Sequence, residues 1–251
     1  MSALNAMLHR EAKIRFTNFA WVFWDLFYPL GYLLVFGVGI NAALGPPLPA
    51  LGVDYNAFFL AGVLGVASFG IAHNTAWGFF VDRDNGIFYE MLTYPLSRAE
   101  FLLGKMIFNI ALAILQAAIT AGLGAALLGV RLRADLLPLL LVGVAVGTAG
   151  WVFFFSIFAL RIRRNDLFNS VMSVFYFVFL FASSIFYPLE PLPGWFQWAA
   201  RVNPLTWQVD LMRYGSIGLG DPWEVFVESV AFVVFSLGAF AYAVRCLEQQ
   251  D

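Results

Sequence analysis

The residues able to do chemistry in this chain are few, and most of them interrupt long apolar runs. Asn169, Ser173, Tyr176, Leu180, Ser183 and Tyr187 recur at three- and four-residue spacing, which gathers them on one face of a helix. Phe69, His73 and Trp77 repeat that pattern with more aromatic character, and Asn74 stands beside them. In hydrocarbon, polar side chains are costly unless they face protein or water. The two stripes therefore either line a route for a translocated molecule or hydrogen-bond between helices, the latter worth about 0.6 kcal/mol per contact. Asp25 and Glu228 are acids inside apolar runs. Each stands near the end of its run, where snorkelling to water or pairing with a base serves it as well as proton transfer would.

Enzymatic constellations are missing. A phosphate-binding loop needs GxxxxGK[ST] so that backbone amides can cradle a phosphate. Gly104-Lys105 is the one Gly-Lys pair; Met106 follows it, and Ala99 stands where the leading Gly belongs. The two histidines, His9 and His73, cannot build a metal or triad site between them, and neither HExxH nor GxSxG occurs. Cys246 is the one thiol, so no internal disulfide, CxxC pair or zinc cluster can form. The residues argue against an enzyme, and a net charge of −2 argues against a nucleic-acid partner.

The elements that carry these residues must lie in a bilayer. The chain has 251 residues, of which 61% are hydrophobic and 12% charged, with a mean hydropathy of +0.80. A soluble domain runs nearer 45–50% apolar and about 25% charged. Crossing a core of about 30 Å takes roughly 20 residues at 1.5 Å each. Six stretches qualify, 21–40, 57–80, 102–128, 136–160, 167–187 and 225–244. The first contains Asp25 and Pro29, the last Glu228. A central Asp costs about 2.5–3.5 kcal/mol on the insertion scale, and each large apolar residue returns about 0.3–0.6 kcal/mol, so both should still insert. Residues 1–20 hold charges before any apolar run and lack a signal peptide's short core and small-residue cleavage site.

Lys and Arg accumulate on cytoplasmic flanks. With the N-terminus inside, ten of the 14 basic residues fall on the cytoplasmic side, and only Arg131, Arg133, Arg201 and Arg213 face outward. Both termini are then cytoplasmic. Ser97-Arg98-Ala99-Glu100 forms a capping box before the third span, and Asp221-Pro222 starts the sixth. Pro188 and Pro191 are expected to stop the fifth. Gly143 and Gly147 have the spacing that permits close helix approach.

Three segments outside the spans read as short helices. Residues 1–20 form an N-terminal interface helix, with Leu4, Met7, Leu8 and Phe19 on one face and Glu11 spaced to pair with Arg15. After Gly86, the apolar residues Ile87, Phe88, Met91 and Leu92 recur at helical spacing up to Pro95, giving an amphipathic helix beneath the membrane. Its stripe packs either on its own bundle or on a partner. Between Pro188 and Glu224, Pro193-Gly194 and Asn203-Pro204 open two external helices rich in Trp, which are expected to re-enter the outer leaflet. One all-α membrane domain, 21–248, follows the interface helix.

This order of parts resembles the type-2 family of ABC transporter permeases. The resemblance covers nearly the whole chain and is carried by two stretches. One runs from Arg83-Asp84-Asn85-Gly86 through Tyr94-Pro95-Leu96-Ser97-Arg98 to Gly104-Lys105. The other is Ile185-Phe186-Tyr187-Pro188-Leu189-Glu190-Pro191-Leu192-Pro193-Gly194-Trp195, followed by Asn203-Pro204-Leu205-Thr206-Trp207 and 210–213. It implies the membrane half of an exporter in a bacterial inner membrane. A second permease copy, usually identical, and two ATP-binding subunits holding ATP and magnesium would complete it. Gly86, Ile87, Phe88, Glu90, Met91, Leu92, Pro95 and Arg98 would then be the ATPase-coupling residues. The second and fifth spans would face the dimer axis. Relatives often carry an acid three residues after the coupling-loop Gly; here Tyr89 takes that place and Glu90 follows. The "F-Y-P-L-E-P-L-P-G-W" segment looks more like drug-export relatives than polysaccharide exporters, whose conduits should align aromatics along an inner face, whereas the aromatics here read as spread all round. Export of a hydrophobic or amphipathic molecule is the expected function. The alternatives are polysaccharide or lipo-oligosaccharide export and, from another class, a non-transporting membrane scaffold.

Overall fold

A computed structural model describes residues 3–44, 52–93 and 97–249. Those residues form helices and no strand, the arrangement that lets a backbone satisfy its own hydrogen bonds in hydrocarbon. α1 (Ala3–Thr17) meets α2 (Phe19–Tyr32) at Asn18. Phe19 thus begins the next helix, where it is exposed, and does not share the face of α1. Pro29 lies inside α2 and denies the Asp25 carbonyl its helical donor. The chain then widens into a π-helical stretch, Leu33–Val38, before α3 (Gly39–Leu44).

α4 (Tyr55–Asp84) and α5 (Ile87–Leu92) are separated by Asn85 and Gly86. Gly86 takes φ +76°, left-handed backbone open to glycine at no steric cost, so the chain turns sharply there. α6 (Arg98–Leu128) opens on the expected capping box: Glu100 N–H donates to Ser97 Oγ at 3.1 Å, and Ser97 N–H to Glu100 Oε2 at 2.8 Å. α7 (Leu137–Arg161), α8 (Asn165–Phe181), α9 (Gly194–Arg201), α10 (Pro204–Ile217) and α11 (Pro222–Glu248) complete the chain. Asp221 caps α11 as expected, its carboxylate accepting from Trp223 and Glu224.

Among the described residues, five helical stretches are long and apolar enough to cross a bilayer: Val22–Ala43, Tyr55–Asp84, Ala99–Leu128, Leu137–Arg161 and Pro222–Glu248. The chain is a multi-pass membrane protein. The expected span at 167–187 is the departure. Its helix, α8, has 17 residues and stops at Phe181, well before Pro188. At 1.5 Å per residue it covers about 25 Å, short of a full core.

Side chains explain that stop. The last carbonyls of a helix lack intrahelical donors, and here each has a substitute. Asn203 Nδ2 donates to Phe179 O at 2.8 Å and to Ala182 O at 2.6 Å. Ser183 Oγ donates to Leu180 O at 2.7 Å, and Tyr187 OH donates to Phe181 O. Asn203 also caps α10, where its Oδ1 accepts from Leu205 N–H at 2.9 Å. One side chain therefore ends one helix and starts another.

α4 and α7 form the centre. α4 packs on α2, α6, α7 and α10, and α7 packs on α4, α6, α10 and α11. α4 is apolar and buried on nearly every side along its middle, as a helix inside a bundle should be. Trp151 of α7 stands edge-on to Phe69 of α4 at 4.6 Å and donates from Nε1 to Gln208 of α10 at 2.7 Å. The close approach expected at Gly143 and Gly147 is made by α10: a methyl group at Gly147 would overlap the Gln208 amide. α10 thus sits inside the bundle, whereas Trp195 and Trp198 of α9 are exposed.

Candidate functional site

Two features concentrate the polar groups. The first is a cleft of about 610 Å³ between α2, α4 and α8. Asp25, His73, Asn74 and Ser173 give it polar groups. Trp24, Tyr28 and Tyr32 of α2, with Tyr176, Phe177 and Phe181 of α8, line it with rings. Tyr28 and Tyr32 lie 5.2 Å apart, and Tyr176 stands 5.4 Å from the His73 ring.

Of Phe69, His73, Trp77, Asn169, Ser173, Tyr176 and Ser183, the structure brings His73, Ser173 and Tyr176 to this cleft, with Leu180 of the same stripe. Phe69 is fully buried among Trp151, Phe155 and Tyr176. Trp77 stacks on Phe80 and borders a smaller pocket. Asn169 is exposed and donates to Asn165 Oδ1 at 2.5 Å. Ser183 is spent on the Leu180 carbonyl. The α2 rings went unnoticed, although Trp24, Tyr28 and Tyr32 repeat every four residues. They also correct the expectation that the aromatics are spread all round: along this cleft six rings gather on one lining.

The second feature is a charged network where α1, α2, α4 and α6 meet. Asp82 of α4 accepts from Arg10 at 2.7 Å and from Lys105 at 3.2 Å. Glu11 accepts from Lys105 at 2.9 Å and from Arg10 at 3.0 Å. Two acids and two bases close a neutral ring across three helices. Arg15, expected to pair with Glu11, reaches instead to Asp25 of α2 at 3.1 Å and to Asn109 at 3.3 Å. The helix start places Glu11 toward α6, where the buried Lys105 competes for it. Asn74 donates to the other oxygen of Asp25 at 2.9 Å. Asp25 is thus paired with a basic residue of α1, and with Asn74 it also borders the cleft. Among the described residues, no group of His, Cys, Asp and Glu could hold a metal ion.

α5 lies at the same end. Phe88 is fully buried, 5.3 Å from Phe79 and 5.5 Å from Phe101, and Met91 is also buried. Lys105 Nζ lies 5.9 and 5.6 Å over the Phe79 and Phe101 rings. Phe88 and Met91 of this helix therefore pack on their own bundle, while Ile87 of the same stripe is exposed, as are Tyr89, Glu90 and Gly86. Pro95 lies outside the described residues, as do the side chains of Leu92 and Arg98.

The ABC-2 type transporter family matches residues 2–216, a range that includes α1, the charged network, α5, the cleft and all but the end of α10. The chain belongs to that family. Among curated members, Nodulation protein J of Rhizobium leguminosarum bv. trifolii is 32% identical over 203 residues, 77% of this chain and 72% of that protein. A chain of Pyropia yezoensis named as transport permease ycf38 is 26% identical over 188 residues, 74% of this chain and 64% of its own length. Daunorubicin resistance ABC transporter permease protein DrrB1 of Streptomyces coeruleorubidus is 25% identical over 201 residues, covering 78% and 69%. The match thus spans about two thirds of the length of these ABC-2 relatives.

Proposed function

We propose that this chain is the membrane-spanning subunit of an ATP-driven exporter and that the α2–α4–α8 cleft takes an amphipathic molecule. The cleft carries the reading. Its rings suit the apolar body of a substrate, and Asp25, Asn74, His73 and Ser173 suit a polar head. A relative named for daunorubicin resistance fits the same class. In this reading α8 and the irregular residues after it make a sixth crossing, α1 lies in the interface, and α10 re-enters from outside. Both termini and α5 lie in the cytoplasm of a bacterial inner membrane. α5 presents Tyr89 and Glu90 to a separate ATP-binding subunit, which holds ATP and magnesium. Two permease copies and two such subunits form the working assembly.

One observation favours a second reading. Six aromatic side chains aligned along a cleft also suit stacking on sugar rings, so export of a polysaccharide or lipo-oligosaccharide is the alternative.

The test uses inside-out vesicles containing this chain and its ATP-binding subunit. ATP should drive uptake of a fluorescent amphipathic dye, and Ser173→Leu and Tyr176→Leu should reduce it about tenfold while Asn169→Leu leaves it intact. ATP-driven uptake of a lipid-linked oligosaccharide, with none of the dye, would favour the second reading. Failure of any ATP-binding subunit to co-purify would leave a membrane scaffold.

A further inference from the structure

Two neighbouring residues at the end of α4 reach in different directions, and neither belongs to the cleft or to the exposed face of α5. We infer that Asp82 and Arg83 form a two-sided joint, through which a displacement of α5 moves α1 and α6 on one side and α7 and α8 on the other. This rests on the reading of α5 as the contact for the ATP-binding subunit.

The joint begins with how α5 is mounted. Only Asn85 and Gly86 separate it from α4, and a two-residue turn leaves little slack. Phe88 is held between Phe79 and Phe101, which themselves lie 5.1 Å apart. Pushing α5 therefore pushes the last turn of α4. Successive residues of a helix point about 100° apart, so Asp82 and Arg83 face different neighbours. Asp82 holds Arg10 of α1 and Lys105 of α6 through the four-member ring.

Arg83 does something different. Its guanidinium donates to backbone oxygens at the end of α7: Nη1 to Leu160 O at 2.7 Å and to Ala159 O, and Nη2 to Ile162 O. These are the carbonyls a helix end leaves without donors, so a side chain from α4 completes α7. The guanidinium also lies 5.1 Å over Phe80, whose ring stacks at 4.6 Å on Phe168 of α8. Only residues 162–164 connect α7 to α8. Arg83 thus grips the hinge from which α8 rises to carry Ser173 and Tyr176 along the cleft.

The chemistry separates a joint from mere packing. A planar fork can serve carbonyls in more than one direction at once, and a lysine ammonium at the same place cannot hold that geometry. Arg83→Lys keeps the charge and most of the stem, so it should keep the fold while loosening the grip.

The experiment compares the parent complex, bearing its ATP-binding subunits, with three variants: Arg83→Lys, Asp82→Lys and Asp82→Glu. Molecules transported per ATP hydrolysed are measured alongside the substrate concentration for half-maximal uptake. Arg83→Lys should lower the transport-to-hydrolysis ratio about tenfold with half-saturation unchanged. Asp82→Lys should lower the ratio as well, whereas Asp82→Glu, which keeps the charge facing Arg10 and Lys105, should retain a large part of it. A parent complex that shows no ATP-driven uptake overturns the functional reading itself. A working parent whose Arg83→Lys variant keeps the same ratio overturns the joint. If Arg83→Lys does not fold, the two Asp82 variants decide: folded Asp82→Lys and Asp82→Glu complexes with the same ratio also overturn it.

Discussion

The two ends of the bundle are both fastened by buried polar groups, but they are fastened differently. At the end that carries α1 and α5, a ring of charges meets charges from other helices, and Arg83, alone among that end's described buried bases, donates to backbone, at the close of α7. Each of Asp82 and Glu11 has two cationic partners, Arg10 and Lys105. At the opposite end, side chains meet backbone. Asn203 and Tyr187 satisfy the carbonyls of α8. Arg213 donates to Ser184 O at 2.8 Å, pairs with Asp210, and lies 4.0 Å over the Phe58 ring. Paired charges with alternates can exchange partners as helices shift. A guanidinium fixed on a carbonyl, a carboxylate and a ring cannot. The first end has the form of a place that moves, and the second of a place that holds.

The largest expected effect attacks the holding end. Asp210 has one ion-pair partner among the described residues, Arg213, which is buried. Arg213→Ala should cost about 3–5 kcal/mol, the usual penalty for leaving one buried charge alone. Lys105→Met should cost about 1–2 kcal/mol, because Arg10 remains beside both acids. Thermal unfolding in detergent, followed by loss of monodispersity, measures both. The contrast sharpens with exchange. Asp210→Arg with Arg213→Asp should recover nothing, since a carboxylate can neither donate to Ser184 O nor stack on Phe58. Recovery there would erase the distinction between the two ends.

Asn203→Ala is expected next, at about 2–3 kcal/mol, since a helix cap and donors to two carbonyls disappear together. Asn203→Asp should keep the α10 cap but turn a carboxylate oxygen toward both carbonyls, so it should be no more stable than Asn203→Ala. Equal stability of the parent and Asn203→Ala would mean that water replaces those donations and that α8 stops at Phe181 for another reason.

The long helices were legible because periodicity and length act locally. The starts of α6 and α11 followed from Ser97 and Asp221, whose side chains bond within the next turn. The short α8 was not legible. Phe-rich continuity argued for a helix through Tyr187, while the groups that end it, Asn203 and Tyr187, act across 21 to 24 residues of chain or from beyond the break. Arg83 and Lys105 were legible only as charges. Each counts as a cytoplasmic flank charge, yet each is buried and spent on neighbouring helices. Helical spacing put Ser173 and Tyr176 on one face with Asn169 and Ser183, but only the neighbours α2 and α4 decide which of them border the cleft. The α2 rings had the same spacing, and a polar criterion passed over them.

The smallest effect tests whether burial or geometry decides these contrasts. Arg133 donates to Asp135 through Nε at 3.2 Å and Nη2 at 2.5 Å, a two-point contact that looks as good as any inside the bundle. Both side chains are more than half exposed. Those hydrogen bonds hold the Asp135 carboxyl below its ordinary range, so whatever the pair contributes is present above that range and fades as the solution is acidified through it. Water and salt screen such a pair almost completely. Arg133→Ala should therefore leave thermal stability within error of the parent at neutral pH, and the Arg133 backbone N–H, which donates to Ser216 O at 2.8 Å, would be kept. A loss as large as that from Lys105→Met would show that two-point geometry fastens this protein wherever it occurs. The different behaviour of the two ends would then need a cause other than which groups are shielded from water.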